Sequence, residues 1–120
     1  MNEAQVVTDF LERALLQSRR DRYIGFIRQQ KTRRKFLQSL YHDLEWCIDQ
    51  DQVVQRLPDD VLDRPSLCFA PPAEFGAPIS TLRGAVDSAG DACLAITTDG
   101  RAGVYRPESP TDSALHFLWG

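Results

Sequence analysis

The stretch ACLAITTDGRAGVY, residues 92–105, decides the fold class of this chain. Two runs rich in apolar residues, 92–98 and 102–105, flank the dipeptide Asp99-Gly100. An Asp-Gly pair between two such runs is typical of a tight β-hairpin turn, because this turn needs residues that tolerate positive φ angles. The stretch therefore predicts two adjacent antiparallel strands in the C-terminal half of the chain.

A short strand and a helix precede this hairpin. The run SLCFA, residues 66–70, predicts a strand, whereas residues 71–78 contain three prolines and a glycine and predict a loop. Apolar residues at helical spacing, with Ser80 as the N-cap, predict a helix over 81–89. A helix between two strands of one sheet usually makes a right-handed crossover, so we expect strands 66–70 and 92–98 to be parallel.

The last apolar run, ALHFLW at residues 114–119, predicts a final strand. Alternation places Leu115, Phe117 and Trp119 on one face, which we expect to be buried, and leaves Leu118 on the other face. If this strand lies at an edge of the sheet, Leu118 becomes a site for binding a partner protein or for forming a homodimer, because exposed edges invite pairing.

The first 48 residues have a helical pattern. Asn2 is suited to cap a helix, and apolar residues spaced by four predict an amphipathic helix over 3–17. Asp21 could cap a second helix, a strong helical pattern covers 36–48, and whether 21–48 is one helix or two stays open. Helices followed by strands predict an α+β fold, with an N-terminal arm of two or three helices and a small three- to four-stranded sheet with one crossover helix.

Length and charge divide the chain of 120 residues into three parts of one domain. Residues 1–48 form a basic helical arm with nine cations and six anions, and residues 66–120 form a β-α-β-β-β body. Residues 49–65 contain five aspartates and two prolines and predict an acidic connector, with a short turn of helix over 52–57. This connector could fold back on the arm and neutralise it, or it could meet a cationic protein.

The densest charge lies between Arg13 and Lys35, where nine cations face one anion, Asp21. A local positive field attracts phosphate or an acidic partner even though the net charge of the chain is −3. We expect Arg19, Arg20, Arg33, Arg34 and Lys35 to be mostly exposed, and charge reversal at residues 33–35 to leave the fold intact. The candidate binding residues are Arg19, Arg20, Arg28, Arg33, Arg34 and Lys35.

Cysteine usage and the lack of targeting signals favour a cytoplasmic protein. Cys47, Cys68 and Cys93 are widely spaced, odd in number and set among apolar neighbours, so we expect buried, unreactive thiols. The first ten residues do not resemble a signal peptide, and no apolar run is long enough to span a bilayer, which argues against a membrane partner. Arginine outnumbers lysine twelve to two, which suggests a GC-rich, bacterial genome.

No motif for catalysis or cofactor binding is present. The pair His42-Asp43 would need several further metal ligands, and the only other histidine is His116, so we expect neither a metal nor a cofactor. Residues 49–60 begin like a calcium loop but carry valines where a ligand and a glycine are needed. The phosphate-loop, dinucleotide and serine-nucleophile motifs are all absent.

Three functions stay open. The leading hypothesis is a non-enzymatic protein that binds another protein in an immunity, adaptor or regulatory role, because both charge signs are present and catalysis has no candidate residues. The second is nucleic-acid binding through residues 13–35, which salt-dependent affinity for DNA or RNA would reveal. The third is an enzyme whose site uses no recognisable motif.

Overall fold

The computed structural model describes residues 2–41, 43–70, 74–88, 92–107 and 114–119. Three helices precede the sheet and two shorter ones lie among its strands, so the fold is α+β. The helices are α1 (Glu3–Ala14), α2 (Gln17–Arg28), α3 (Arg33–Ser39), α4 (Asp59–Leu62) and α5 (Leu82–Ser88). The strands are β1 (Val53–Val54), β2 (Ser66–Ala70), β3 (Glu74–Ile79), β4 (Cys93–Thr97), β5 (Ala102–Arg106) and β6 (Leu115–Leu118).

The strands form one antiparallel sheet in the order β1-β6-β5-β4-β2-β3. At its centre, the hairpin of β4 and β5 turns at Asp99 and Gly100, as the sequence predicts. The carboxylate of Asp99 accepts hydrogen bonds from the hydroxyl of Thr97 at 2.6 Å and from the backbone amide of Arg101 at 3.0 Å. Gly100 has a φ of 75°. The hydrogen bonds of the Asp99 side chain and the positive φ of Gly100 therefore stabilise the turn.

The sheet is larger than the sequence pattern predicts. β1 lies in the segment assigned to the connector and pairs with β6, and β3 lies in a segment assigned to a loop and pairs with β2. An outer strand such as β3 tolerates Pro78, because one side of its backbone has no neighbouring strand to bond. The expectation of three or four strands is therefore wrong, and so is that of a loop over 74–78, while 71–73 lie outside the described residues.

β2 and β4 are antiparallel neighbours, which corrects the expectation of a parallel pair. The chain reverses between β2 and β3, so α5 joins β3 to β4, and these two strands run parallel on either side of β2. The crossover helix is present, but it starts from β3, a strand that the sequence pattern does not reveal. Thr81, not Ser80, caps it: the Thr81 hydroxyl accepts a hydrogen bond from the amide of Gly84 at 3.1 Å.

The N-terminal helices have different bounds from those expected. The Asn2 side chain caps α1, as predicted, by accepting hydrogen bonds from two backbone amides at 3.0 and 3.3 Å. However, α1 ends at Ala14, because Leu15 takes an extended conformation and forms a β-bridge with Ile48. α2 then begins at Gln17, ahead of the expected cap at residue 21.

The helical pattern over 36–48 is interrupted. α3 ends at Ser39, and a 3-10 turn covers Leu44–Cys47. Between α2 and α3, the Thr32 hydroxyl donates to the carbonyl of Phe26 at 2.8 Å, which satisfies a group that the end of α2 leaves free. Residues 21–48 therefore do not form one continuous helix.

The acidic connector, residues 49–65, is structured and lies against the body. A 3-10 turn over Gln50–Gln52 leads directly into β1, in place of the expected turn of helix over 52–57. Its aspartates pair with arginines of the connector and body. The described ion pairs are Asp59–Arg83, Asp63–Arg83, Asp60–Arg64 and Asp99–Arg64, at 3.1–3.5 Å. These pairs balance charge within the C-terminal part of the chain and do not involve the basic arm.

Two apolar layers cover the two faces of the sheet. On one face, α1, α2 and α3 pack over a large cluster that includes Phe10, Phe36 and Phe117. On the other face, α4 and α5 cover a smaller cluster around Leu82 and Val104. The arm is therefore a layer of the folded core and not a separate extension, since its inner side supplies much of the larger cluster.

The C-terminal strand packs as its alternation predicts. Phe117 is fully buried, and Leu115 and Trp119 pack against the same cluster. Leu118 faces the other side and is 36% exposed. β6 lies between β5 and β1, so the outermost position at this side of the sheet belongs to Val53–Val54. A partner that added a strand here would pair with β1 and not with β6.

Candidate functional site

The six candidate cations of the arm lie in two kinds of surroundings. The exposed ones are Arg19, Arg28, Arg34 and Lys35, and the half-buried ones are Arg20 and Arg33. The ion pairs of the described residues include no cation between residues 13 and 35. The exposed cations therefore give the arm a positive surface that lies outside these four ion pairs.

Arg20 and Arg33 bind backbone carbonyls. The Nη2 atom of Arg20 donates to the carbonyl of Leu15 at 3.1 Å, between α1 and α2. The Nε atom of Arg33 donates to the carbonyl of Ile27 at 2.9 Å in the last turn of α2, and its guanidinium lies 4.7 Å from the ring centre of Phe75. The expectation of exposed side chains is wrong for these two residues, and charge reversal at Arg33 should disturb the fold.

Replacing Arg33 with alanine is expected to lower the free energy of unfolding by about 1–2 kcal/mol, because it removes a charge-assisted hydrogen bond and a cation–π contact. Arg34→Ala is the matched control, since the adjacent side chain is exposed and should matter by about 0.5 kcal/mol or less. Urea unfolding of both variants measures the difference. Equal stability of the two variants would show that Arg33 does not hold the end of α2.

A cleft of about 320 Å³ opens between α2 and α3. Two cations flank an aromatic ring in it: Arg22 and Lys35 place their charges 5.8 and 5.9 Å from the ring centre of Phe26. The ring of Tyr23 meets that of Phe26 edge-on, with centres 6.0 Å apart. The remaining lining residues are Gln38, Ser39 and Asp43. This cleft can therefore attract an anionic group and offer it an aromatic neighbour.

The cleft is tied to the 3-10 turn over Leu44–Cys47. The thiol of Cys47 donates to the hydroxyl of Tyr23 at 3.4 Å. Burial raises the pKa of Tyr23 to about 12. The phenol is therefore neutral near pH 7 and serves as a structural contact. The backbone amide of Trp46 donates to the carbonyl of Asp43 at 3.3 Å, so the backbone of Trp46 is close to a residue that lines the cleft.

Trp46 is the large apolar side chain with the greatest exposure in the described residues, at 77%. Leu16, 40% exposed, is close to the same 3-10 turn, because its backbone amide donates at 2.9 Å to the carbonyl of Cys47, the residue after Trp46. The next turns of α2 present Arg19, Arg22 and Phe26 at helical spacing on one side. We call this surface the arm face; it consists of Leu16, Arg19, Arg22, Phe26, Lys35 and Trp46.

No family model, curated protein or solved structure matches this chain. Its function therefore has to be inferred from the chemistry of its own surface. Within the described ranges, no group of three or more His, Cys, Asp or Glu side chains could hold a metal ion. Among the helices that the structure describes, none has both the length and the apolar character needed to cross a membrane.

Sequence reasoning names Arg19 and Lys35 of this surface as candidate binding residues and omits Arg22 from them. It also misses Trp46 and Leu16. A signal for both was available, because neither residue falls on an apolar stripe of its segment. The stripe over 36–48 runs through Leu40, Leu44 and Cys47 and leaves Trp46 out. A tryptophan off the inner face of a helical pattern indicates an exposed side chain, so the position of Trp46 is a signal for a binding residue in addition to the charge pattern.

A second cleft of about 350 Å³ lies between α1 and the end of α2. Its lining includes Arg28 and Arg33, together with polar side chains of α1. The cations of the arm are thus divided, with Arg22 and Lys35 at the first cleft and Arg28 and Arg33 at the second. Arg33 already donates a hydrogen bond to a backbone carbonyl. The cations of the first cleft are therefore more available to a ligand than those of the second.

Of the two histidines, the structure describes His116, which lies on β6 and not on the arm face. His42 lies outside the described residues. His116 is half-buried on β6, where burial and then the charge of Arg106 lower its pKa below the usual 6.5. His116 therefore stays neutral at pH 7. Neither described cleft includes a histidine or a cysteine among its lining residues.

Proposed function

We propose that the chain is a non-catalytic binding protein whose arm face docks against an acidic surface of another protein. The exposure of Trp46 is the observation that carries this proposal. A tryptophan hides a large apolar surface when it binds, and tryptophans at interfaces are often the residues whose loss costs most affinity. An immunity, adaptor or regulatory role would use such a surface.

The charges around Trp46 define the chemistry of the partner. Arg19, Arg22 and Lys35 give the arm face three cations, and the four described ion pairs do not include them. Complementary charges steer association and suppress wrong partners more than they add affinity. The expected partner therefore has an apolar pocket for the indole, bordered by aspartate and glutamate side chains.

The composition of the clefts supports binding over catalysis. The first cleft offers two cations, one carboxylate and aromatic rings, and no thiol or imidazole is among its described lining residues. A general acid–base or nucleophilic mechanism needs a titrating group with a positioned partner. Tyr23 does not supply one, because its raised pKa keeps it protonated.

A second candidate function, binding of single-stranded nucleic acid, is favoured by one feature of the same cleft. Phe26 lies between the charges of Arg22 and Lys35, and an aromatic ring flanked by cations is the arrangement that stacks a base beside its phosphate. This function uses the cleft and does not require Trp46, so the two proposals make different predictions for the same variants.

Two pairs of variants test the leading proposal. Trp46→Ala is compared with Leu118→Ala, an apolar change at an exposed site elsewhere. Arg19→Glu/Arg22→Glu is compared with Arg56→Glu/Arg101→Glu, which makes the same charge change at exposed cations outside the arm. Each tagged protein is used to capture partners, after nuclease treatment, from lysate of the organism that encodes it, and the affinity of the recovered partner is then measured.

We expect a protein partner whose affinity falls about 30-fold or more with Trp46→Ala and falls with the arm charge reversal, while both controls keep it. A labelled single-stranded oligonucleotide is titrated in parallel over a range of salt. Tight binding that weakens steeply with salt, needs Arg22 and Lys35 and ignores Trp46 would replace this proposal with the nucleic-acid one. A partner equally retained by all variants would reject the arm face as its binding surface.

A further inference from the structure

Two cysteines that are far apart in the sequence meet on the sheet. The sulfur atoms of Cys68, on β2, and Cys93, on β4, lie 3.3 Å apart, and no disulfide joins them. The register pairs Cys68 with Ala95, so Cys93 is its diagonal neighbour on the adjacent strand. Both side chains lie on the face that α5 covers, because Leu67 and Leu94 point to the opposite cluster.

We propose that Cys68 and Cys93 form a site of reversible modification, at which a peroxide converts the two thiols into a disulfide between β2 and β4. This goes beyond the proposed binding function and does not depend on it, since the arm face lies on the other side of the sheet. It also revises the expectation that all three thiols are buried and unreactive. The spacing of the cysteines in the sequence does not reveal the contact between Cys68 and Cys93.

The two thiols differ in access, and this difference assigns their roles. Cys68 is half-buried and is the sulfur that an oxidant can reach, whereas Cys93 is 6% exposed. The hydrogen bond with Cys68, and then burial, raise the pKa of Cys93, so it stays a thiol at pH 7. Cys68 is therefore the residue that is oxidised first, and Cys93 is the residue that resolves the product.

The reaction needs only the peroxide. The sulfur of Cys68 attacks one peroxide oxygen, the O–O bond breaks, and a sulfenic acid and one water are formed. The sulfur of Cys93 then attacks the sulfur of Cys68, the S–O bond breaks, and the departing hydroxide takes the proton of Cys93 as a second water. Two thiols are oxidised by two electrons, and one peroxide is reduced to two waters.

Disulfide formation requires the sulfur atoms of Cys68 and Cys93 to move closer together, and the backbone around both cysteines favours this movement. Diagonal neighbours on antiparallel strands are farther apart than directly opposed ones, so the strands have to shift to bring the sulfurs to bonding distance. The β2–β3 register is irregular between Cys68 and Phe69. On the other strand, Ala92 precedes Cys93 with a φ of 58°, a conformation that an alanine rarely adopts. Irregular backbone at both positions can relax more easily than a regular ladder.

Arg106 adds a favourable charge at this site. It is paired with Cys93 across β4 and β5, and its Nη2 atom donates to the carbonyl of Val86 on α5 at 2.8 Å. Its positive charge acts to lower the pKa of Cys93, against the larger opposing effects. When the sulfenic acid forms, the same charge favours ionisation of the attacking thiol, which is the step that closes the disulfide.

Cys47 provides an internal control. Its thiol donates to the Tyr23 hydroxyl, among the arm helices on the opposite side of the sheet. The test treats the full-length protein with hydrogen peroxide, alkylates it under denaturing conditions, and reads intact and peptide masses. We expect a mass loss of about 2 Da, a peptide joining Cys68 to Cys93, and one remaining alkylation site at Cys47. A thiol reductant should restore all three sites.

The variants separate the two roles. Cys47→Ser should form the disulfide as the wild type does, whereas Cys93→Ser should leave a sulfenic acid at Cys68 that dimedone traps. Retention of three alkylation sites after peroxide would overturn the proposal, as would a disulfide that includes Cys47 or that only joins two chains. The wild-type measurement decides the question even if a serine variant fails to fold.

Discussion

Replacing Phe117 with alanine is expected to lower the free energy of unfolding by about 3–5 kcal/mol, a large part of the total stability of a domain this size. Phe117 is fully buried on β6 between two other aromatic rings. Its ring centre lies 5.2 Å from that of Phe10, edge to face, and 6.1 Å from that of Trp119. Truncation leaves a cavity where the arm helices meet the last strand, and neither neighbour can fill it without losing its own contacts.

The control for this prediction is Leu118→Ala, one position along the same strand. Leu118 points to the other face and is 36% exposed, so its loss should cost about 1 kcal/mol or less. Urea unfolding followed by circular dichroism compares the two variants with the wild type. If both variants were equally stable, the assignment of the inner face of β6 would be wrong.

The elements with local signals were predictable from the sequence. The Asp99-Gly100 turn and the Asn2 cap depend on the residues that form them, so a short stretch contains most of the information. The alternation in ALHFLW likewise assigned Phe117 to the core, because a strand side chain points to one face or the other. Where a structure depends only on neighbours in the sequence, the pattern was sufficient.

The missing strands depend on partners that are distant in the sequence. β1 has two residues and exists because Val53 and Val54 pair with the C-terminal strand. β3 contains a proline and a glycine that argue against a strand, and its position at the sheet edge makes both tolerable. The wrong parallel assignment followed directly, since an unseen strand reverses the chain between β2 and β4.

The candidate site was predictable only as a charge pattern. The sequence locates the cations but not which of them face solvent, because Arg20 and Arg33 bind carbonyls that become available only where helices end. The contact between Cys68 and Cys93 is similarly invisible, since it depends on the order of β2 and β4 in the sheet. Side-chain surroundings, unlike side-chain types, are set by tertiary structure.

Replacing Gly103 with alanine is expected to lower the free energy of unfolding by about 1–3 kcal/mol, although it adds only a methyl group. A Cβ atom at Gly103 would lie 2.6 Å from Cε2 of Phe10 and 3.1 Å from the carbonyl oxygen of Ala95. Glycine normally weakens the middle of a strand, so its presence in β5 indicates a close approach. Here the ring of Phe10 lies directly against the backbone.

Gly25→Ala is the control, because a Cβ atom there would have no atom within 4 Å beyond its chain neighbours and the backbone of its own helix, and the residue is exposed on α2. It should raise stability by about 0.5–1 kcal/mol, since alanine loses less conformational freedom in a helix. Both substitutions replace glycine with alanine, so changes of opposite sign in the free energy of unfolding would isolate the effect of the Phe10 contact.

Relaxation at Gly103 is restricted, because the ring of Phe10 also meets that of Trp119 at 5.3 Å and the Ala95 carbonyl belongs to a central strand. A gain in stability at both glycines would mean that α1 can move away from the sheet, and that the arm is not the fixed layer on which the arm face depends.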